Sequence, residues 1–470
     1  MAKKEKSKHP FRDSIEVVIF AIVMALGLKV FAVEAYQIPT GSMMPTLMGT
    51  QLIDPDRQIP NGSVHDRVLV DKISWWLRDP KRWEVVVFRY PLLAHQNYVK
   101  RMVGMPSEDL AILNGDIWTR KDASENYTIE RKPEDLQNTL WKSCWPIPGS
   151  DAKRWMGWET ANQTPGKDGL LKLQGRRSIQ STKIFHDDYR NGFPDSIFWR
   201  IPVTGAGVRS RNVVSDLKLE TTFVPDDSAG PLEIRMDAGP FPIRLRLEPG
   251  QSPSITLHSP DGEVHTGDFQ HEAGKGVEVS IAFWDHRISV LVQSEGSNWA
   301  LTKNLRLDAQ QATMNRIRFT AQNGGWSAFP PKVFRDIHYL PPLRGGGAPY
   351  FTIPEGQYFM MGDNTQNSHD SRDWEARELE LDPPVDGRLA LRGDNFQSGT
   401  DPNFDNPRWD MGRKVMTFRD STGEQFSVPR ESIANDQRVL SPFVPRDHLM
   451  GRALAVFMPL WPTLRFGFVR

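Results

Sequence analysis

Ser42 and Lys100 are the two side chains whose types could do nucleophilic chemistry together. Ser42 lies in "YQIPTGSMMPTL", residues 36–47, two positions after Thr40, with Gly41 between them and Pro45 close behind. A sharp turn there could expose the hydroxyl and align backbone N–H groups. A serine hydroxyl is a weak nucleophile until a base takes its proton, and a neutral lysine can serve where no histidine is suitable. Desolvation disfavours the ammonium form, so a buried lysine can be neutral near neutral pH. Lys100 stands in "YVKRMVGMP", where Tyr98, Val99, Met102 and Val103 could bury it. Taken singly, Ser42 also reads as an ordinary turn serine and Lys100 as a solvated strand lysine.

A third stretch, "MGDNTQNSHDSRDW", places Ser368, Asp370 and Arg372 at alternate positions of a polar loop. Asp370 and Arg372 could pair and hold Ser368, although a plain surface loop has the same composition. Gly362-Asp363-Asn364 adds a turn whose side chains can bond their own backbone. No P-loop, H-E-x-x-H or Rossmann glycine pattern occurs, and His369 is a lone histidine beside Asp370. The single cysteine, Cys144, excludes an intramolecular disulfide and multi-cysteine metal sites. No cofactor and no metal are expected. Lys plus Arg equals Asp plus Glu, 58 each, so no global basic field points to nucleic acid.

These residues need elements to position them. "SIEVVIFAIVMALGLKVFAVEAY", residues 14–36, reads as a transmembrane helix, its apolar part from Ile15 to Val33 being about 28 Å long at 1.5 Å per residue. Glu16 and Lys29 lie near its ends, where a side chain can bend toward the headgroups. Lys3, Lys4, Lys6, Lys8 and Arg12 outnumber Glu5 and Asp13 in the tail 1–13, which predicts a cytoplasmic amino terminus and an extracytoplasmic body. A cleavable leader ending near Val33-Glu34-Ala35 is the rival reading.

Beyond the span, 15 Trp and 24 Phe beside 36 Pro and 36 Gly describe an ordered, loop-rich chain of mainly β class. "RVLVDKI", "WEVVVFRY" and "NYVKRMVGM" predict an antiparallel sheet within 37–115. Residues 116–349 read as an insertion whose strand-like runs from about 213 to 340 suggest a β-sandwich, with "GGGAPYF" as its exit linker. The body resumes over 350–470, with a polar insertion at about 376–440 that gives only weak strand signals.

Taken in order after an apolar segment, "PTGSMMPTL", "HDRVLVDK", "YVKRMVGMP" and "MGDNTQNSHDSR" resemble the bacterial type I signal peptidases (leader peptidases). The resemblance covers residues 14 to about 115, 350–374 and about 443–470. It implies a Ser/Lys dyad with Ser42 as nucleophile and Lys100 as general base. It also implies an oxyanion hole from the Ser42 N–H and the Thr40 hydroxyl, Ser368 bonded to Lys100, and Asp370 with Arg372 bracing the loop. Asp66 and Arg101 match structural positions of the family's motifs. The activity implied is a membrane-anchored serine endopeptidase that removes signal peptides from exported preproteins after small residues, with the Ala-x-Ala pattern, at the cytoplasmic membrane and in contact with its lipid. Four departures touch loop geometry: His65, Ser107-Glu108, Thr365 and Glu375 stand where Gly, Gly-Asp, Arg and Gly are usual.

The insertion resembles concanavalin-like or laminin-G-like sandwiches, an elaboration similar to that of planctomycete-type signal peptidases. A spacer, a protein contact and a glycan- or peptide-binding role all stay open, since function belongs to sites rather than folds. The alternative for the whole chain is an anchored binding protein that displays the sandwich on an inactive peptidase scaffold.

Overall fold

The computed structural model describes residues 14–21, 33–150, 155–160, 162–173, 175, 178–202, 212–250, 252–342, 349–397, 405–459 and 464–470. In it Lys100 is carried by the long strand Leu93–Gly104 of an eight-stranded sheet. The strand order is Val33–Gln37, Arg67–Asp71, Leu449–Met458, Val85–Tyr90, Leu93–Gly104, Gln357–Met361 and Phe443–Pro445, with Gly467–Phe468 attached to Leu449–Met458. All of these pairs are antiparallel.

Both faces of this sheet are covered, which is why "VVVFRY" reads as a run rather than an alternation. Successive side chains of a strand point to opposite faces. Accordingly Val85 and Val87 join Ile38, Met43, Val68 and Val70 in one core, while Val86 and Phe88 join Tyr90, Met102 and Trp374 in another. Lys100 to Gly104 are all buried in this setting.

The proposed membrane span fits the structure only in part. Residues 14–21 are helical and exposed, residues 22–32 lie outside the described residues, and no described helix is long and apolar enough to cross a membrane. The last part of the expected helix is corrected: Val33–Gln37 is a strand, with Val33 opposite Asp71 and Gln37 opposite Arg67. Pairing with "RVLVD" satisfies its backbone where lipid could not.

After Gly104 the chain turns through Ser107, which has φ 60°, a left-handed conformation that costs a side chain about 1–2 kcal/mol. The Ser107→Gly protein is therefore expected to gain about 0.5–1 kcal/mol, read from urea denaturation. Glu108 beside it takes both Arg82 guanidinium nitrogens at 2.8 and 2.7 Å and the Met105 N–H at 2.8 Å, so this departure from the family pattern is locally satisfied.

Glu108–Leu113 is the point at which the insertion leaves and returns. It pairs with Asp116–Arg120 on one side and with Tyr350–Ile353 on the other. The boundary expected at 115/116 is thus internal to a four-stranded sheet that also holds Thr128–Ile129. Residues 345–347 of the glycine-rich exit lie outside the described residues.

The insertion is a two-sheet sandwich of eight and seven strands. Leu217–Pro225, Leu232–Ala238 and Arg316–Ala321 alternate buried with partly exposed residues along their length. Its lower limit of 213 is corrected, because Lys142–Trp145, Trp158–Glu159, Leu171–Leu173 and Ser178–Ser181 also belong to its sheets. Strands of two to four residues are too short to display a period, but Trp145, Trp155 and Trp158 anchor them in the sandwich core.

Within 376–440, where the sequence gives only weak strand signals, the described residues form two three-stranded sheets, Arg388–Asp394 with Glu375–Val385 and Ile433–Leu440, and Arg408–Asp410 with Val415–Arg419 and Gln425–Pro429. A small core of Leu379, Leu391, Met416, Phe418 and Phe426 joins them. Their outward charged residues mask the alternation in sequence.

Candidate active site

Ser42 sits in the single turn Gly41–Met43, and Lys100 opposite Val86 in the sheet. The two side chains are buried, at 7% and 4% exposure, and Lys100 Nζ donates to Ser42 Oγ at 2.7 Å. The other bond of the ammonium nitrogen, to the Val99 carbonyl, is 3.3 Å. Burial pulls Lys100 down to about 8, with Arg372 assisting and Asp370 and Asp363 opposing. A lysine this close to neutral and within hydrogen-bond reach of a serine can act as its base.

Thr40 precedes the turn in an extended conformation and is exposed. The turn is tied down from the far part of the chain: the Asn364 N–H donates to the Ser42 carbonyl at 3.0 Å, and Asn364 Nδ2 donates to the Gly41 carbonyl at 2.9 Å. Gly362 makes this approach possible, since a Cβ there would lie 2.4 Å from the Ser42 carbonyl oxygen.

Asp363 links the two halves of the site. Its carboxylate accepts Arg101 Nε at 2.8 Å, Arg101 Nη2 at 2.7 Å and Thr46 Oγ1 at 2.6 Å. Arg101 follows Lys100 in the strand, and Thr46 follows the Ser42 turn. Arg372 likewise grips Asp370 through Nε at 2.7 Å and Nη2 at 2.8 Å. Both ion pairs have no solvent exposure. Burial raises the Asp370 carboxyl, but Arg372, the Gly362 N–H and Ser368 outweigh it and hold the group below its ordinary value.

Ser368 is brought to the site but not to the predicted partner. Its Oγ lies against the Asp370 carboxylate without a well-formed hydrogen bond, and among the described residues Lys100 bonds to Ser42 and the Val99 carbonyl. Asp66 is buried on the flank of the turn, accepting from the Met48 N–H and Arg465. Cys144 is buried in the sandwich core, and burial pushes its thiol up to about 12.

Sequence reasoning missed the residues of the insertion that reach the loop. Lys142 Nζ donates to the Asp363 carbonyl at 2.6 Å, Thr365 Oγ1 donates to the His338 carbonyl at 2.7 Å, and Arg372 Nη1 donates to the Leu340 carbonyl at 2.8 Å. Gln366 also bonds the Asp187 carbonyl. All four contacts use main-chain oxygens as acceptors, which carry no sequence signal. Thr365 was a signal, since it departs from the usual arginine.

The family described as signal peptidase, peptidase S26, matches residues 11–215 and 303–382. The probable signal peptidase I-2 of Synechocystis sp. is 32% identical over 134 residues, covering 26% of this chain and 54% of that protein. Signal peptidase I of Leptolyngbya laminosa is 29% identical over 140 residues, 28% of this chain and 62% of that one. Signal peptidase I of Pseudomonas fluorescens is 37% identical over 99 residues, 18% and 30%. The chain therefore spans 30% to 62% of the length of these three relatives. Among solved structures, winged bean acidic lectin complexed with methyl-α-D-galactose aligns at 11% identity over 37% of this chain and 89% of that one, with a TM-score of 0.26, which carries no argument about function.

Proposed function

Because this chain belongs to the S26 signal peptidase family, we propose that it is a serine endopeptidase that cleaves signal peptides from exported preproteins with a Ser42/Lys100 dyad. The observation that carries the reading is the buried 2.7 Å contact between Lys100 Nζ and Ser42 Oγ. In the reactive form the neutral amine takes the hydroxyl proton as Ser42 Oγ attacks the scissile carbonyl. The Ser42 N–H and the Thr40 hydroxyl stabilise the oxyanion as its charge develops. The Lys100 ammonium then returns its proton to the leaving amine. A water deprotonated by Lys100 hydrolyses the acyl-enzyme and regenerates the serine.

We place the body on the outer side of the cytoplasmic membrane, with residues 14–32 as the anchor. Val33, the first described residue after that segment, pairs with Asp71, whose carboxylate accepts the Ile73 and Ser74 N–H groups. The short helix Ser74–Leu77 that follows exposes Trp76 and Leu77, at 71% and 84%. Aromatic and apolar residues at the exit of a span suit the membrane interface. A tether shared with a lipid-embedded substrate also raises their effective concentration.

Purified protein in detergent is expected to cleave a preprotein carrying Ala-x-Ala at its junction and to spare the same preprotein with Leu at −1 and −3, as resolved by mass spectrometry of the new amino terminus. The rate should fall about tenfold per unit as pH drops below the Lys100 value of about 8, because the base acts only when neutral. No cleavage at any pH, or a flat profile down to pH 6, would overturn the assignment.

A further inference from the structure

We infer that Lys142, which belongs to the inserted sandwich, is a positioning residue for the dyad, so that the insertion is a working part of the active site rather than a passenger. The inference rests on the peptidase reading above.

Lys142 opens the strand Lys142–Trp145 and stands opposite Arg335 of Lys332–Arg335, so its backbone is set by the sandwich. Gly192 packs on it: with φ 79°, a Cβ there would lie 3.1 Å from both Lys142 Cα and Cβ. The side chain is 4% exposed and ends on the Asp363 carbonyl oxygen at 2.6 Å. Asp363 and Asn364 are the residues through which the nucleophile and the base are held together. The Asp363 carboxylate binds Arg101, next to Lys100, and Thr46, beyond Ser42. Asn364 binds the Gly41 and Ser42 carbonyls. Fixing the carbonyl between them fixes the plane of the peptide that joins both sets of contacts. A displacement of this peptide moves the Ser42 turn relative to the Leu93–Gly104 strand, and a shift of about 1 Å at a reacting pair costs on the order of 100-fold in rate.

The sandwich reinforces the same loop elsewhere. Its carbonyls at Asp187, His338 and Leu340 accept from Gln366, Thr365 and Arg372. Its Phe193, Ile197, Phe198 and Ile201 share a core with Met44 and Met48, directly after the nucleophile. Lys142 is the member of this set whose contact is a side-chain donor on the hub itself, and so the one that substitution can remove cleanly.

What Lys142 supplies is an N–H donor, and Gln can supply one without charge. The test compares Lys142→Met and Lys142→Gln in the full chain, using an Ala-x-Ala preprotein and, independently, p-nitrophenyl acetate with the Ser42→Ala protein as background. Lys142→Met is expected to lower kcat on the preprotein at least tenfold with KM within twofold, and to lower the Ser42-dependent ester burst in parallel. Lys142→Gln should recover most of both, with melting temperatures of the two variants alike. Equal losses in both variants, or losses that track melting temperature, would overturn the positioning role and leave Lys142 as a fold contact. If the unmodified protein hydrolyses the ester through Ser42 but no preprotein, the substrate reading fails while the ester comparison still decides the role of Lys142. If neither substrate shows a Ser42-dependent reaction, both readings fall.

Discussion

Lys100→Met is expected to abolish preprotein cleavage and at the same time to make the protein more stable. The first effect follows from removing the base in contact with Ser42, a loss of at least about 10³-fold in kcat. The second follows from the cost of keeping an amine out of water. The folded value of about 8 lies below the ordinary lysine value of 10.5, so below pH 8 the native state carries up to about 3 kcal/mol of penalty at 1.36 kcal/mol per pH unit. The lost bond to Ser42 returns about 1 kcal/mol of that, leaving a net gain of about 2 kcal/mol. The sign gives a further check. As pH rises from 8 to 10.5 the unfolded lysine also becomes neutral, so the advantage of the variant shrinks and vanishes above that window. Denaturant titrations at pH 7 and pH 10.5 on the unmodified and variant proteins measure this directly. Ser42→Ala is expected to lose cleavage comparably without the pH-dependent gain, and a Lys100→Met protein less stable than the parent at pH 7 would count against a desolvated base.

Arg101→Met is expected to cost about 3–5 kcal/mol, because it strands a fully buried carboxylate. Burial alone raises Asp363, and Arg101, Thr46 and Lys142 together bring it below its ordinary value. Its folded value is lowered, so its contribution to stability is present above the ordinary carboxylate range and lost as pH falls through the lowered value. In the Arg101→Met protein, burial raises the stranded Asp363 carboxyl, so it takes up a proton as pH falls and the stability deficit against the parent narrows toward acid pH. The paired replacement Arg101→Met with Asp363→Leu should recover much of the stability, because two apolar groups can replace a buried pair at little cost. It should not recover cleavage, since Thr46 loses its acceptor and the strand loses its tie to the Ser42 turn. Urea titrations from pH 3 to 7, alongside preprotein assays, separate the two outcomes.

The parts legible in sequence were those carried by side chains in regular elements. "WEVVVFRY" and "YVKRMVGMP" announce buried strands because β-branched and apolar residues fill both faces, and "LKLETTFV" announces a sandwich strand because its alternation is clean. Ser42 and Lys100 were legible as a pair through order and neighbours, though their 2.7 Å contact is a tertiary fact. The short strands around Trp145 and Trp158 were not legible, because their pairing is dictated by partners more than 100 residues away or by one large side chain. Nor was the contact of Lys142 with Asp363, since a main-chain acceptor has no residue type. The resemblance implies a Ser368–Lys100 bond, and Ser368 instead counts among the groups that hold the Asp370 carboxyl below its ordinary value.

The two ends of the insertion pair with the same strand, Glu108–Leu113, and this bears on the order in which the chain assembles. Arg101 and Asp363 are 262 positions apart. Loop closure over such a length adds only about 0.6 kcal/mol per doubling, but contacts of long sequence separation form slowly. A sandwich that has already folded presents its ends side by side and turns this distant meeting into the closure of a short loop. This wiring predicts that the sandwich condenses first and the sheet carrying Lys100 is completed last, which pulsed hydrogen exchange during refolding reads. In that order the Ser42 turn and Lys100 meet only after the insertion has folded, so the contact between them reports completion of the whole chain.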